Sequence, residues 1–174
     1  SYGSTFLSAL VNRFPALRAR LRGAWQAQSA WKKEEGVSRA PPLPRKVLLL
    51  WAAHLLQLGR SRHAAALLVG FHCFLRPGEL VKLLRKDLSF NHAHTRCVVS
   101  LVNTKMGGRK GVAEYVDIED RLVASVLFGV SAHLLPGDSV FNFSYTQFRS
   151  LIRELASHFR LQAFGFRPYS LRRG

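Results

Sequence analysis

The sequence predicts a mainly α-helical protein with a small antiparallel β-sheet, an α+β fold class, on three observations. Apolar residues make up 48% of the 174 residues, and most apolar stretches have helical spacing. Only two runs, RCVVSLV at 96–102 and VAEYVDI at 112–118, are rich in residues that favour strands. The segment NTKMGGRKG joins them and carries a glycine pair typical of a hairpin. The predicted order is therefore helices, one small sheet, and further helices.

The N-terminal third of the chain predicts a short helical domain and a linker. Ser4 precedes FLSALVNRF, and Pro15 is placed to begin the helix PALRARLRGAWQAQSAWKKEE. Residues 36–44, GVSRAPPLP, form a Pro-rich linker, because each proline disfavours helix at the residue before it. We therefore expect a partial helical domain at 1–35 and a larger domain at 45–174.

The larger domain is expected to contain five helices around the two strands. Pro44 begins an apolar helix and Ser61 caps a second one, and both are expected to be largely buried. The sequence RPG at 76–78 then breaks the chain ahead of a short helix, LVKLL. After the strands, a helix is predicted over roughly 119–133, and an amphipathic helix over about 144–160.

The charge of the chain points to a polyanionic partner. Its 26 Lys and Arg residues against 10 Asp and Glu give a formal net charge of +16. Nucleic acid is the expected partner, ahead of an anionic membrane surface. Residues 75–110 carry eight basic and two acidic residues, residues 111–148 one and five, and residues 149–174 six and one. Such blocks of charge favour a single anion-binding face. The alternative is that basic residues are spread over the surface without a defined arrangement.

Several other classes of protein are disfavoured by the sequence. Cys73 and Cys97 are too few for a disulfide framework and indicate buried thiols in a reducing compartment. No apolar run reaches the roughly 18 residues of a membrane span, and no signal peptide is present at the start. His92 and His94 lack a third ligand at a usual spacing, so we expect no metal site. The chain is expected to be a piece of a longer protein.

Arg76 is the first candidate functional residue. It follows a nearly uncharged stretch at 64–75 and directly precedes the break at Pro77 and Gly78. A guanidinium fixed at the end of a buried helix is well placed to bind an oxyanion in bidentate geometry. The alternative is an arginine that satisfies the carbonyls of its own helix.

Further motifs follow Arg76 in a defined order. Arg76 heads the sequence R-x-x-E-L, Lys105 lies in the predicted hairpin, and PYSLR ends at Arg172. In these residues, their order and the Pro-rich linker ahead of them, the chain resembles the catalytic domain of tyrosine recombinases of the phage-integrase type. The resemblance covers roughly residues 40–174, and RPGEL and PYSLRRG are similar to recombinases of eukaryotic mobile elements.

The resemblance implies DNA recombination or integration without metal or cofactor, through a phosphotyrosine intermediate. Arg76 and Arg172 would hold the scissile phosphate, and Lys105 would protonate the leaving 5′-oxygen. Tyr169 stands where the family's second box usually has His or Lys; it would hydrogen-bond the phosphate, but an ordinary phenol transfers protons poorly near pH 7. The nucleophilic tyrosine is expected beyond Gly174, so this chain alone is not expected to cleave DNA.

The resemblance also implies wider contacts with double-stranded DNA. Basic residues of the helical domain, the hairpin and the last segment would bind backbone phosphates, which gives affinity without sequence choice: Arg18, Arg20, Arg22, Lys32, Lys33, Arg109, Lys110 and Arg173. For the helical domain, the alternative is a solvated basic helix. The full-length protein would be a nuclear, DNA-bound homo-oligomer.

Two other functions stay open on the sequence. The first alternative is a non-catalytic DNA-binding module, or a degenerate recombinase that retains its basic groove. Tyr169 favours this alternative. A tyrosine preceded by His or Trp in the reading frame beyond Gly174 would support the enzyme, and a stop codon the relic. A basic RNA-binding protein would show aromatic residues on its sheet, whereas the two strands offer only Tyr115.

Overall fold

The computed structural model describes residues 2–34, 39–101 and 114–174. The chain divides into two compact units, Ser1–Arg39 and Ala40–Gly174, named here the N-terminal unit and the C-terminal unit. The boundary between them falls inside the Pro-rich segment at 36–44.

The N-terminal unit contains two helices joined by a tight turn. Helix α1 spans Tyr2–Arg13, a 3-10 turn spans Pro15–Leu17, and α2 spans Arg22–Glu34. The expectation of one helix beginning at Pro15 is therefore wrong. The Arg18 N–H bonds to the Pro15 carbonyl at 3.1 Å, which closes a 3-10 turn, and the chain reverses so that α1 and α2 can pack together.

In the C-terminal unit, some helices precede the strands in the sequence and the others follow them. The described helices are α3 Arg45–Gln57, α4 Ser61–His72, α5 Pro77–Leu80, α6 Arg121–Ser131 and α7 Tyr145–His158. Three 3-10 helices span Arg85–Asp87, Gln162–Phe164 and Pro168–Arg173, and the last is named here the terminal 3-10 helix.

The sheet is small and antiparallel, with strand order β1-β2-β3. Strand β1 spans Leu88–Phe90, β2 Cys97–Leu101 and β3 Glu114–Ile118. The prediction of a mainly helical α+β protein with a small antiparallel sheet is confirmed. Strand β1 was not predicted, because three residues are too few to show the alternation that marks a strand.

The core of the C-terminal unit is centred on α4. An unbroken run from Ala64 to Gly70 is buried, and α3, α6 and the terminal 3-10 helix pack against α4. Helix α3 buries only one face, while Leu49, Leu50 and Leu56 are exposed. The expectation that α3 is largely buried is therefore wrong, because α3 packs on α4 along one side and its other apolar face has no neighbour among the described residues.

Helix starts are fixed by local side-chain hydrogen bonds. Asp120 accepts from the N–H groups of Leu122 and Val123 at the start of α6, and Ser144 and Gln147 bond reciprocally at the start of α7. The short helix expected in LVKLL forms instead in PGEL at 77–80. Proline at the first helical position already has a helical φ, which favours the earlier start.

Candidate phosphate-binding site

Arg76 is fixed in place by a single carboxylate. It precedes α5 with extended backbone, and its Nη1 donates to Glu79 Oε1 at 2.6 Å. The backbone N–H of Arg76 donates to Glu79 Oε2 at 2.8 Å. The side chains are 33% exposed for Arg76 and 16% for Glu79. Glu79 therefore orients both the main chain and the guanidinium of Arg76, while part of the guanidinium faces solvent.

The surroundings of Arg76 include two residues that are distant in sequence. The pKa of Arg76 is raised, first by the hydrogen bond that it donates to Glu79 and by the charge of Glu79, and to a smaller extent by Tyr169 and Glu114. These smaller contributions indicate that the Tyr169 phenol and the Glu114 carboxylate lie within electrostatic range of the guanidinium.

The side chains of the terminal 3-10 helix lie on three faces of the helix. Such a helix has about three residues per turn, so side chains at i and i+3 lie above one another. Pro168 and Leu171 are buried, whereas Tyr169 is exposed and Arg172 half-buried on the next face. Tyr169 and Arg172 therefore share one face of the terminal 3-10 helix, and Pro168 and Leu171 share the buried face.

A close contact of three elements holds the terminal 3-10 helix against the core. A Cβ added at Gly70 in α4 would lie 3.2 Å from Leu80 Cδ2 and 3.3 Å from Leu171 Cδ1. Glycine at this position therefore lets α4, α5 and the terminal 3-10 helix approach one another closely. Leu80 of α5 and Leu171 of the terminal 3-10 helix therefore approach the same part of α4.

Hydrogen bonds to the start of the unit complete this anchoring. The Leu43 N–H donates to the Ser170 carbonyl at 3.0 Å, and Arg173 Nη1 donates to the Ala40 carbonyl at 2.7 Å. Ser170 Oγ accepts from the Arg167 N–H at 3.0 Å. Arg173, which the sequence suggested as a DNA contact, therefore has a structural contact that joins the two ends of the unit.

The hairpin that carries Lys105, Arg109 and Lys110 lies outside the described residues. The strand positions that flank it are described, and Leu101 pairs with Glu114 across β2 and β3. Glu114 is the residue whose charge acts on Arg76, so the chain re-enters the described structure beside the guanidinium.

The predicted DNA contacts of the N-terminal unit fall into two groups. Arg18 and Arg22 line the same concavity of about 450 Å³ together with Asn12 and Trp25. Arg20 is exposed in the turn before α2 but does not line that concavity. Lys32 and Lys33 belong to α2, and their side chains lie outside the described part of the structure.

The other two tyrosines of the C-terminal unit lie on β3 and α7. Tyr115 is exposed on β3, where it pairs with Ser100, and Tyr145 is exposed at the start of α7. Sequence reasoning missed Glu114, because its proximity to Arg76 depends on strand pairing. It also missed a second group of arginines, Arg149, Arg153 and Arg167, which line one pocket. The spacing of Arg149 and Arg153 by four residues in an amphipathic helix was the available signal.

The acidic segment of the chain is partly neutralised by internal ion pairs. Arg96 pairs with Asp117 at 3.2 Å and also contacts Glu119. Asp120 lies 3.8 Å from His72 Nε2. Arg96 thus supplies a counter-charge to Asp117 and Glu119, while both carboxylates stay solvent-exposed.

The chemistry available around Arg76 is the binding of a tetrahedral oxyanion. Two guanidinium groups and a phenol can donate several hydrogen bonds to phosphate oxygens, and guanidinium binds such oxygens in bidentate geometry. Within the described ranges, no group of three or more His, Cys, Asp or Glu residues is arranged to hold a metal ion. Among the same residues, no helix has the length and apolar character needed to cross a membrane.

No protein-family model matches the chain. No curated protein matches it significantly. The functional proposal therefore rests on the residues and the geometry of the C-terminal unit.

Proposed function

We propose that the C-terminal unit binds double-stranded DNA and holds one backbone phosphate between Arg76, Arg172 and Tyr169. The observation that carries the proposal is the approach of Leu80 in α5 and Leu171 in the terminal 3-10 helix to the same residue of α4, Gly70. The electrostatic contribution of Tyr169 to Arg76 supports the proposal, and Arg172 shares a face of the terminal 3-10 helix with Tyr169. The net charge of +16 supports a polyanionic partner.

The hydrogen-bonding capacity of this group suits a phosphate. A guanidinium has five N–H donors, and the described structure engages one N–H of Arg76 with Glu79. Arg172 has no ion-pair partner among the described residues, and it is half-buried. Preorganised guanidinium groups stabilise the charge that develops on non-bridging oxygens during phosphoryl transfer, without the cost of reorganising solvent.

The proposal extends to the tyrosine recombinase family and to DNA recombination or integration. Arg76 with Glu79 and the PYSLR segment are the motifs that resemble that family, and the electrostatic contribution of Tyr169 to Arg76 supports their assignment to one site. In this proposal Lys105 is the general acid, and the protein acts in the nucleus as a DNA-bound homo-oligomer. The role assigned to the chain described here is the binding of the phosphate.

A non-catalytic DNA-binding module is the second candidate. The specific observation in its favour is Tyr169, which stands near Arg76 where a His or Lys is usual in the family. An exposed phenol donates a hydrogen bond but transfers protons poorly near pH 7. In this candidate function the phosphate contacts serve affinity alone.

A comparison of two DNA duplexes tests the proposal. One is an intact duplex, and the other carries vanadate at a nick, where it mimics phosphorus during strand transfer. Arg76→Ala and Arg172→Ala are expected to weaken binding to the vanadate duplex by about 10- to 100-fold, because hydrogen bonds to charged groups contribute about 1.5 to 3 kcal/mol. Binding to the intact duplex should fall much less. Fluorescence anisotropy measures both dissociation constants.

The matched control is Arg121→Ala, which removes one exposed positive charge from α6. It should reduce binding to both duplexes slightly and equally. Equal losses on both duplexes for Arg76→Ala would contradict a specific phosphate site. A wild-type protein that shows no preference for the vanadate duplex, yet binds the intact one, would favour the non-catalytic module.

Salt dependence tests DNA as the partner. Each phosphate contact releases counterions, so the affinity for duplex should fall steeply between about 50 and 200 mM salt. A flat dependence would remove DNA as the partner of this chain.

A further inference from the structure

We propose that a pocket beside α7, lined by Arg149, Arg153 and Arg167, binds a second phosphate group of the same DNA backbone. None of these residues belongs to the Arg76 cluster. The inference deepens the proposed function, since it assigns a second contact that fixes how the duplex lies on the unit.

The pocket is formed where the chain turns back along α7. It is an open concavity of about 410 Å³, with Gln162, Gly165 and the three arginines among its lining residues. Arg149 and Arg153 lie four residues apart in α7 and therefore share a face of the helix. Gly165 has a φ of +64°, the left-handed conformation that glycine adopts without strain, and this turn directs the chain back toward Arg167.

The floor of the pocket is apolar and well packed. Ala156 and Phe166 line it and are buried. The Phe166 ring packs edge-to-face on Trp51, with ring centroids 5.8 Å apart, and is stacked on Phe164 at 5.6 Å. The edge of the pocket therefore carries long arginine side chains above a packed apolar surface. This arrangement lets the guanidinium groups adjust to a bound anion.

The charge of the pocket is not compensated within the protein. Among the described residues, none forms an ion pair or a hydrogen bond with the guanidinium group of any of the three arginines. Glu154, the carboxylate adjacent to Arg153 in sequence, is instead bound to Arg60 Nη1 at 2.7 Å. Gln162 donates to Ser157 Oγ at 3.2 Å. Three like charges therefore converge without a counter-charge, so an anion that enters is attracted by all of them.

The number and type of donors favour a phosphate. Guanidinium groups bind phosphate oxygens in planar, bidentate geometry, and a phosphate offers several oxygens around one centre. Arg167 directly precedes the terminal 3-10 helix, and Tyr169 and Arg172 lie within it. The pocket and the Arg76 site are thus joined by one short, anchored element, so two phosphates bound there would be held at a fixed separation, which sets the register of the duplex.

The experiment compares the double variant Arg149→Gln/Arg153→Gln and the single variant Arg167→Gln with Arg121→Gln as control. Each is an exposed Arg→Gln change, so thermal melting should be unchanged. The pocket variants should weaken binding to intact duplex by about three- to tenfold. The slope of log affinity against log salt should become shallower by about 0.9 for a lost phosphate contact. Arg121→Gln should change neither quantity by as much.

A second arm uses inorganic phosphate alone, followed through the NMR signals of the arginine Nε–H groups. In the wild type these signals should shift for the pocket arginines, and the shifts should be lost in the pocket variants. Shifts without any effect of the variants on duplex affinity would overturn the assignment to DNA and leave a site for free phosphate. Absent shifts, together with duplex affinities equal to that of Arg121→Gln, would overturn the pocket itself. If the wild type binds phosphate there but no duplex, the proposed function fails separately from the pocket.

Discussion

The Arg76 site and the pocket of Arg149, Arg153 and Arg167 both present guanidinium groups, but in opposite ways. Arg76 donates two hydrogen bonds to the Glu79 carboxylate, at 2.6 and 2.8 Å, and is within electrostatic range of Glu114. The pocket arginines have no carboxylate partner among the described residues. A carboxylate partner lowers the net charge of a site and fixes the orientation of the guanidinium group. Arginines without such a partner keep their full charge and can change their side-chain conformation. The first arrangement suits positioning of one phosphate, and the second suits affinity.

Removal of the packing beneath the Arg76 site should have the largest effect. Leu171→Ala is expected to lower the free energy of unfolding by about 2 to 5 kcal/mol, because Leu171 is buried against Leu80 and near Gly70. It should also reduce the preference for the vanadate duplex, since Tyr169 and Arg172 would lose their fixed position. Urea unfolding and duplex binding measure the two effects.

The matched control for this change is Leu127→Ala, which removes a fully buried leucine from α6. It should cost similar stability but leave the vanadate preference intact. If both variants lose the preference equally, the packing of Leu171 has no special role at the Arg76 site.

Replacing Glu79 by glutamine should separate the effect of orienting the Arg76 guanidinium from the effect of the negative charge of Glu79. Glu79→Gln is expected to reduce the preference for the vanadate duplex over intact duplex by about tenfold, because a neutral amide orients the guanidinium more weakly. Affinity for intact duplex should stay unchanged or rise, since one negative charge is removed. Anisotropy titrations of both duplexes measure the ratio.

Glu154→Gln provides the control, because Glu154 forms the comparable pair with Arg60 at 2.7 Å. It removes the same charge and should leave the ratio unchanged. A loss of affinity for both duplexes in Glu79→Gln would argue against orientation as the role of Glu79.

Loss of the phenol near Arg76 should have a smaller effect. Tyr169→Phe removes one hydrogen-bond donor and is expected to weaken binding to the vanadate duplex by about three- to tenfold, since a hydrogen bond contributes about 1 kcal/mol. Tyr145→Phe removes an equally exposed phenol from α7 and should have no such effect. Identical behaviour of the two variants would exclude Tyr169 from the phosphate site.

Alkaline pH should act on the core through two buried thiols. Burial raises the pKa of the Cys73 and Cys97 thiols from 9.0 to about 12. The folded protein therefore retains protons that the unfolded chain releases, and stability is full below about pH 9 and declines as the pH rises toward 12.

The measurement is the free energy of unfolding between pH 8 and pH 11, compared with that of a Cys73→Ala/Cys97→Ala variant. The decline above pH 9 should be much smaller in the variant. An equal decline in both proteins would assign it to other groups.

The fold class was predictable because its signals are local. Pro44 marked the start of α3, and the residues of β2 and β3 alternate or branch at Cβ, so both elements were expected where the structure has them. The start of α2 and the short helix at Pro77–Leu80 were not predicted. The start of each of these helices depends on a 3-10 turn or on a side-chain cap. These local structures are similar in energy to a longer helix, so the sequence does not decide between them.

The sequence by itself singled out Arg76, since a cation beside a rigid break is visible as a residue pattern, and the resemblance to tyrosine recombinases added Tyr169 and Arg172. Only the tertiary structure decided that Tyr169 and Glu114 lie within electrostatic range of Arg76, and that Arg149, Arg153 and Arg167 line one pocket. Proximity between distant residues depends on strand pairing, on the approach of Leu80 and Leu171 to Gly70, and on the turn at Gly165. These are long-range contacts, which spacing along the chain does not encode.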